Sequence, residues 1–167
     1  MIFEKKNLAD IFKDKQEEMI EHALKHRQSG YNFMINKDDN FDQLYQIFLD
    51  TCKDRFEGIV FKKPSFKYWG YVLDKLFFET KWHNHVKTSD LVGVFYLKVA
   101  KTEQGIALYE GKQKTKKIVP TKIFKPKDYD LIIFKNNLLH RPLLPLDKDD
   151  FRLSINMEVF IDNSYKI

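Results

Sequence analysis

The sequence predicts a mainly β protein with N-terminal helices, in outline a β-sandwich or jelly roll with a helical flank. Three observations point there. Apolar residues at helical spacing are confined to about the first 60 positions. From Pro64 onward the pattern changes to short alternating or continuous apolar runs, about eight of them. Turn-forming residues separate these runs throughout.

In chain order, Leu8, Ile11, Phe12, Met19, Ile20, Ala23 and Leu24 predict a helix over roughly the first 27 residues, with Asn7 able to cap it and Ser29-Gly30 ending it. His22 and His26 lie one turn apart on this helix, without the acid of a zinc-protease pattern, and are read as surface residues. Residues 31–39 read as a loop. Phe41, Leu44, Tyr45, Ile47, Phe48 and Cys52 then mark a second helix from Asn40 or Asp42, closed by Gly58, with Cys52 in the core rather than acting as a nucleophile. Phe66, Tyr68, Gly70 and Val72 alternate with Lys67, Trp69 and Tyr71 as a strand, and Leu76-Phe77-Phe78 leads into Trp82-His83-Asn84-His85. The run 90–99 reads as a strand buried on both faces. Strands follow at 105–109, 118–124, 131–134 and 151–161, with a basic loop at 112–117.

The chain of 167 residues reads as one domain, a helical flank over 1–60 and a β core over 66–161. Its 43% hydrophobic content suits a folded globule, and no apolar run approaches membrane-spanning length. The first residues lack the apolar segment of a signal peptide, and one cysteine cannot form an internal disulfide, so a reducing, cytoplasmic setting is expected. The net charge of +5 reads as solvated surface lysine, and the signature of an RNA-binding module is missing, so neither a nucleic-acid nor a membrane partner is expected.

The chemistry concentrates in the β half. On a strand, His83 and His85 would share a face, because side chains alternate with period 2. Imidazole is a good ligand for iron, copper, nickel or zinc. A third histidine, His140, follows the apolar run 131–134. Arg152 sits in an apolar strand context, where a buried cation needs a partner. That partner is either a structural acid, Glu158 or an aspartate of the preceding loop, or a ligand carboxylate gripped by the guanidinium fork, with Ser154 adding a hydroxyl on the same face.

The order His83-x-His85, Gly93-Val94-Phe95-Tyr96-Leu97, Asp130-Leu131-Ile132-Ile133-Phe134 and Leu139-His140, then Arg152-x-Ser154, resembles the Fe(II)/2-oxoglutarate-dependent dioxygenases, and especially their small bacterial and phage members. The resemblance covers about residues 66–160. It implies a double-stranded β-helix (jelly roll, cupin-like) with iron in its mouth. It also implies hydroxylation of an unknown substrate, a peptide side chain or a small molecule, using O2 and releasing succinate and CO2. Iron would be held by His83, His85 and His140. Arg152, Ser154 and Tyr96, or alternatively Tyr71, would hold 2-oxoglutarate. The family's pattern is His-x-Asp/Glu, whereas this chain has histidine at the third place. Either His85 replaces the acid, or His85 is the first ligand and an acid such as Asp90 completes the set. Competing readings are another His-ligated metal enzyme of zinc type, or a non-catalytic jelly-roll binding module.

Overall fold

The computed structural model describes residues 1–27, 32–34 (backbone), 38–62, 67–73, 81–111, 117–147, 149–162, 164 and 167. Leu76-Phe77-Phe78, Ser29-Gly30 and most of the basic loop 112–117 lie outside them. The chain is mainly β with curled antiparallel sheets and N-terminal helices. Among the described residues no helix is long and apolar enough to cross a membrane.

Ten strands and three α-helices are present among the described residues. Strand β1 (Ile2–Asn7) opens the chain, followed by α1 (Ala9–Phe12), a short 3-10 turn and α2 (Gln16–Lys25). Next come β2 (Asn32–Met34), α3 (Asp39–Arg55), β3 (Phe61–Lys62), β4 (Tyr68–Leu73) and β5 (Leu91–Lys98). The chain ends through β6 (Ile106–Tyr109), β7 (Lys122–Phe124), β8 (Asp130–Lys135), β9 (Leu139–Pro142) and β10 (Arg152–Ile161).

Two strands replace expected helix or loop. Residues 2–7 form an edge strand rather than the first turns of a helix, pairing antiparallel with β8 from Ile2↔Phe134 to Asn7↔Asp130. Its run of charged residues carries no period of its own, and lysine on an exposed edge is an ordinary device against edge pairing. Asn7 still serves the helix start, its Oδ1 accepting from Ala9 N at 3.1 Å. Strand β2 interrupts the expected loop and pairs with β4. The strand expected at 118–124 shortens to β7. Strand β9 was hidden by its closing Pro142, which is tolerated on this short strand beside β6.

The larger sheet runs β1-β8-β5-β10-β4-β2, with β3 extending the β4 side of β10, and the smaller runs β7-β6-β9. The larger sheet separates two cores. On β5, Leu91, Phe95 and Leu97 face the helices, while Val92, Val94 and Tyr96 face the space toward the smaller sheet. On β8, Leu131 and Ile133 take the first side and Ile132 and Phe134 the second. This two-sided burial is why β5 and β8 read as continuous apolar runs.

Helix α3 covers the first side. Asp38 caps it, its Oδ1 accepting from Asn40 N at 2.9 Å. Phe41, Leu44, Tyr45, Phe48 and Cys52 form its buried stripe. Phe48 lies directly over Gly93, where any Cβ would come within 2.7 Å of its ring.

Candidate metal centre

Strand β10 alternates apolar and polar residues. Leu153, Ile155, Met157, Val159 and Ile161 enter the helix-side core, so Arg152, Ser154, Asn156 and Glu158 fall on the side facing the smaller sheet, all four buried. A row of four polar side chains inside a protein calls for partners.

At the far end of that row stand the three histidines. The segment 81–85 forms no regular strand. It makes one bridge, with His83 N donating to His140 O and His140 N donating to His83 O, each at 3.0 Å. His85 N donates to Asn136 O at 2.7 Å, tying the other end of the pair to the turn between β8 and β9. The histidine spacing therefore works through a bridge and a turn, not through a strand.

Each ring is oriented by its Nδ1. His83 Nδ1 lies 3.0 Å from Lys81 O, His140 Nδ1 2.8 Å from Leu138 O, and His85 Nδ1 2.5 Å from Glu158 Oε1. Carbonyl oxygens only accept, so Nδ1 of His83 and His140 carries the proton and Nε2 keeps its lone pair. A carboxylate imposes the same tautomer on His85. His85 Nε2 and His140 Nε2 are 3.4 Å apart. Two imidazole nitrogens bound to one tetrahedral ion at about 2.1 Å each stand roughly 3.4 Å apart. One ligand atom from each of the three residues lies within 4.8 Å of the others, so the group could hold a metal ion. Burial pushes the His140 imidazole down to about 3, with His83 adding to the effect, and burial also lowers His83. Both therefore present a neutral ring, as a ligand must. The donor set fits a metal, and each ring has the outward partner that metal-ligating histidines require.

Asp90 takes no part. Its Oδ2 accepts from Ile161 N at 2.8 Å and its backbone N donates to Val159 O, so it secures the end of β10. His22 and His26 stack on each other at 4.3 Å, and His22 Nδ1 lies 3.6 Å from Asp38 Oδ2, so His22 has an acid neighbour that its sequence surroundings did not reveal.

At the other end of the row, Arg152 is paired with neither Glu158 nor an aspartate of the preceding loop. Its Nη1 donates to Glu103 Oε1 at 2.6 Å and to Gly105 O at 3.2 Å. Glu103 is itself fixed by Gly105 N at 2.8 Å and Ala100 N at 3.2 Å. Arg152 Nε is buried with no hydrogen-bond partner among the described residues. Ser154 stands directly opposite Tyr96 on β5 and Tyr71 on β4, so the three share the inner face. The guanidinium lies 5.7 Å from the centre of the Tyr96 ring, and burial holds the Tyr96 phenol protonated well above its usual range.

Sequence reasoning missed Glu103, Thr88 and Asn156, and considered Glu158 only as one possible partner of Arg152 rather than of His85. The period-2 polar row 152, 154, 156, 158 in an otherwise apolar strand was a legible signal for two of them. Thr88 sits in a turn and Glu103 in the irregular connection between β5 and β6, and they carried none.

No family model matches the sequence, and no curated protein matches it significantly. The fold is similar to the crystal structure of IDO from Bacillus thuringiensis, with a TM-score of 0.59 over 95% of this chain and 92% of that chain, at 8% sequence identity. At that identity the likeness is one of fold.

Proposed function

We propose that the chain is an Fe(II)- and 2-oxoglutarate-dependent oxygenase that hydroxylates a substrate R–H, with 2-oxoglutarate and O2 giving succinate, CO2 and R–OH. The observation that carries this reading is the convergence of His83, His85 and His140 with every Nδ1 bonded outward. These residues would hold the iron, and the bound metal would supply the oxygen chemistry.

The topology supports it. The order β4-β10-β5-β8 in one sheet faces the order 81–85, β9, β6, β7 in the other once the His83–His140 bridge is counted. From β4 onward, with 81–85 counted as a strand, consecutive strands thus alternate between sheets except at the β6–β7 hairpin, the pattern of a double-stranded β-helix. Arg152 would grip the far carboxylate of 2-oxoglutarate through its Nε, which has no partner among the described residues, with the Ser154 and Tyr96 hydroxyls beside it. Ser154 and Asn156 line the stretch of β10 between the cation and the histidines. Val92, Val94, Ile132 and Phe134 form an apolar cluster on the same side of the larger sheet.

Two features set this site apart. The carboxylate ligand of the family pattern is replaced by a histidine, and Glu103 already occupies part of the Arg152 fork. The second feature favours another reading, a zinc-type centre that activates water and needs no carboxylate fork.

Anaerobic titration of metal-free protein with Fe(II) and 2-oxoglutarate separates the two. A weak visible charge-transfer band that is lost in His140→Ala and in Arg152→Ala is expected. Iron binding without the band would favour the zinc-type centre. No metal binding would leave a β-fold binding module with structural histidines.

A further inference from the structure

A three-imidazole centre lacks the negative charge that a carboxylate ligand contributes. The structure holds a carboxylate immediately outside it. Glu158, 4% exposed, sets Oε1 at 2.5 Å from His85 Nδ1. Thr88 Oγ1 donates to the same oxygen at 3.1 Å, and Thr88 N donates to His85 O at 3.0 Å, so one short turn holds both partners. The backbone of Glu158 is fixed from both sides as well. Its N donates to Lys67 O at 3.0 Å, and its O accepts from the Tyr45 hydroxyl of α3 at 3.0 Å. Directly across the sheet stands Val92, which offers the carboxylate nothing. A charge buried in this way is costly unless a cation lies close.

We propose that Glu158 is a positioning residue that supplies the missing charge from one hydrogen bond away, acting through His85 to set the affinity of the three-histidine centre for a divalent metal. The acid that the family pattern places two residues after the first histidine is moved here to β10. Bonded to Nδ1–H, the carboxylate fixes the tautomer that aims the His85 Nε2 lone pair at His140. It also draws the Nδ1 proton toward itself, making Nε2 a stronger donor. Thr88 keeps the carboxylate from turning away. This inference rests on the metal-centre part of the proposed function and is independent of 2-oxoglutarate.

The test is titration of the metal-free full chain with Co(II), following both affinity and the visible spectrum. Glu158→Gln keeps an acceptor of the same shape and removes the charge. Its Co(II) dissociation constant should rise 10–100-fold, the usual effect of losing an outer-shell partner, while the band shape stays that of the wild type. Glu158→Asp, which retains the charge, should lose less. Thr88→Val, which frees the carboxylate, should also weaken binding, and it carries the test if Glu158→Gln does not fold. Unchanged affinity in Glu158→Gln, or in Thr88→Val where that variant stands in, would overturn the proposal. So would a changed band shape in Glu158→Gln, which would make Glu158 a ligand. A wild type that binds no Co(II) would overturn both this and the metal-centre reading. Co(II) binding that depends on Glu158, with no response to 2-oxoglutarate, would support this inference and overturn only the oxygenase.

Discussion

His85 and His140 lie 55 residues apart in the chain, yet their rings are within 12° of parallel and their Nε2 atoms 3.4 Å apart. Neither Nδ1 is free to turn inward, because one is held by Glu158 and the other by Leu138 O. Two lone pairs facing each other in a buried site repel unless a cation lies between them. Replacing His83, His85 or His140 singly with Ala should therefore weaken divalent-metal binding by more than the 10–100-fold expected for an outer partner. Equilibrium dialysis with Co(II) measures this, and near-wild-type affinity in any one variant would remove that residue from the centre.

Arg152 and Glu103 form a buried pair at the opposite end of the polar row, 4% and 8% exposed. Arg152→Met would leave the Glu103 carboxylate, among the described residues, with the backbone donors Ala100 N and Gly105 N, and removing one partner of a buried pair costs about 3–5 kcal/mol. Urea denaturation should show a loss of that order. Glu103→Gln should act differently on binding. With the competing charge gone, the guanidinium is freer for a ligand carboxylate, and 2-oxoglutarate should bind more tightly in the titration described above. Weaker binding would mean that Glu103 orients the fork rather than competing for it.

Gly93 admits Phe48 of α3 onto the sheet. An added Cβ would lie 2.7 Å from Phe48 Cδ2 and 2.8 Å from Cε2, and the ring is wedged in the core. Gly93→Ala should cost about 1–3 kcal/mol, the usual penalty of overpacking. Calorimetry should register this as a fall in Tm of roughly 2–12 °C.

Burial pushes the Cys52 thiol up to about 12, and the Tyr45 phenol two turns away on the same face of α3 is also raised, again chiefly by burial. Both stay protonated in the folded protein while their unfolded counterparts ionise near pH 9 and 10. Between pH 9 and 12 the unfolded chain binds fewer protons, so stability falls as pH rises through that window. At pH 8 the native thiol should resist a disulfide reagent and react only after unfolding in urea. Rapid labelling of native protein would show that α3 opens from the sheet.

Where a segment carries its own period, its structure was legible in the sequence. The buried stripe of α3 follows from helical spacing, and β5, β8 and β10 from continuous or alternating apolar runs, because burial on one or two faces writes itself into every residue of such an element. His83, His85, His140, Arg152 and Ser154 could be singled out because imidazole and guanidinium are conspicuous in apolar surroundings. Strand β1 was not legible, since an edge strand draws its hydrogen bonds from β8 and needs no pattern of its own. Nor was the choice of partners. That Arg152 meets Glu103 while Glu158 meets His85 depends on which loop closes over each end of β10, and a hydrogen bond between residues dozens of positions apart leaves no trace in local spacing. The sequence by itself determined the mainly β class and the residues able to bind a metal. Only the tertiary structure decided which nitrogen of each ring faces its neighbours, because that follows from the acceptor each Nδ1 finds.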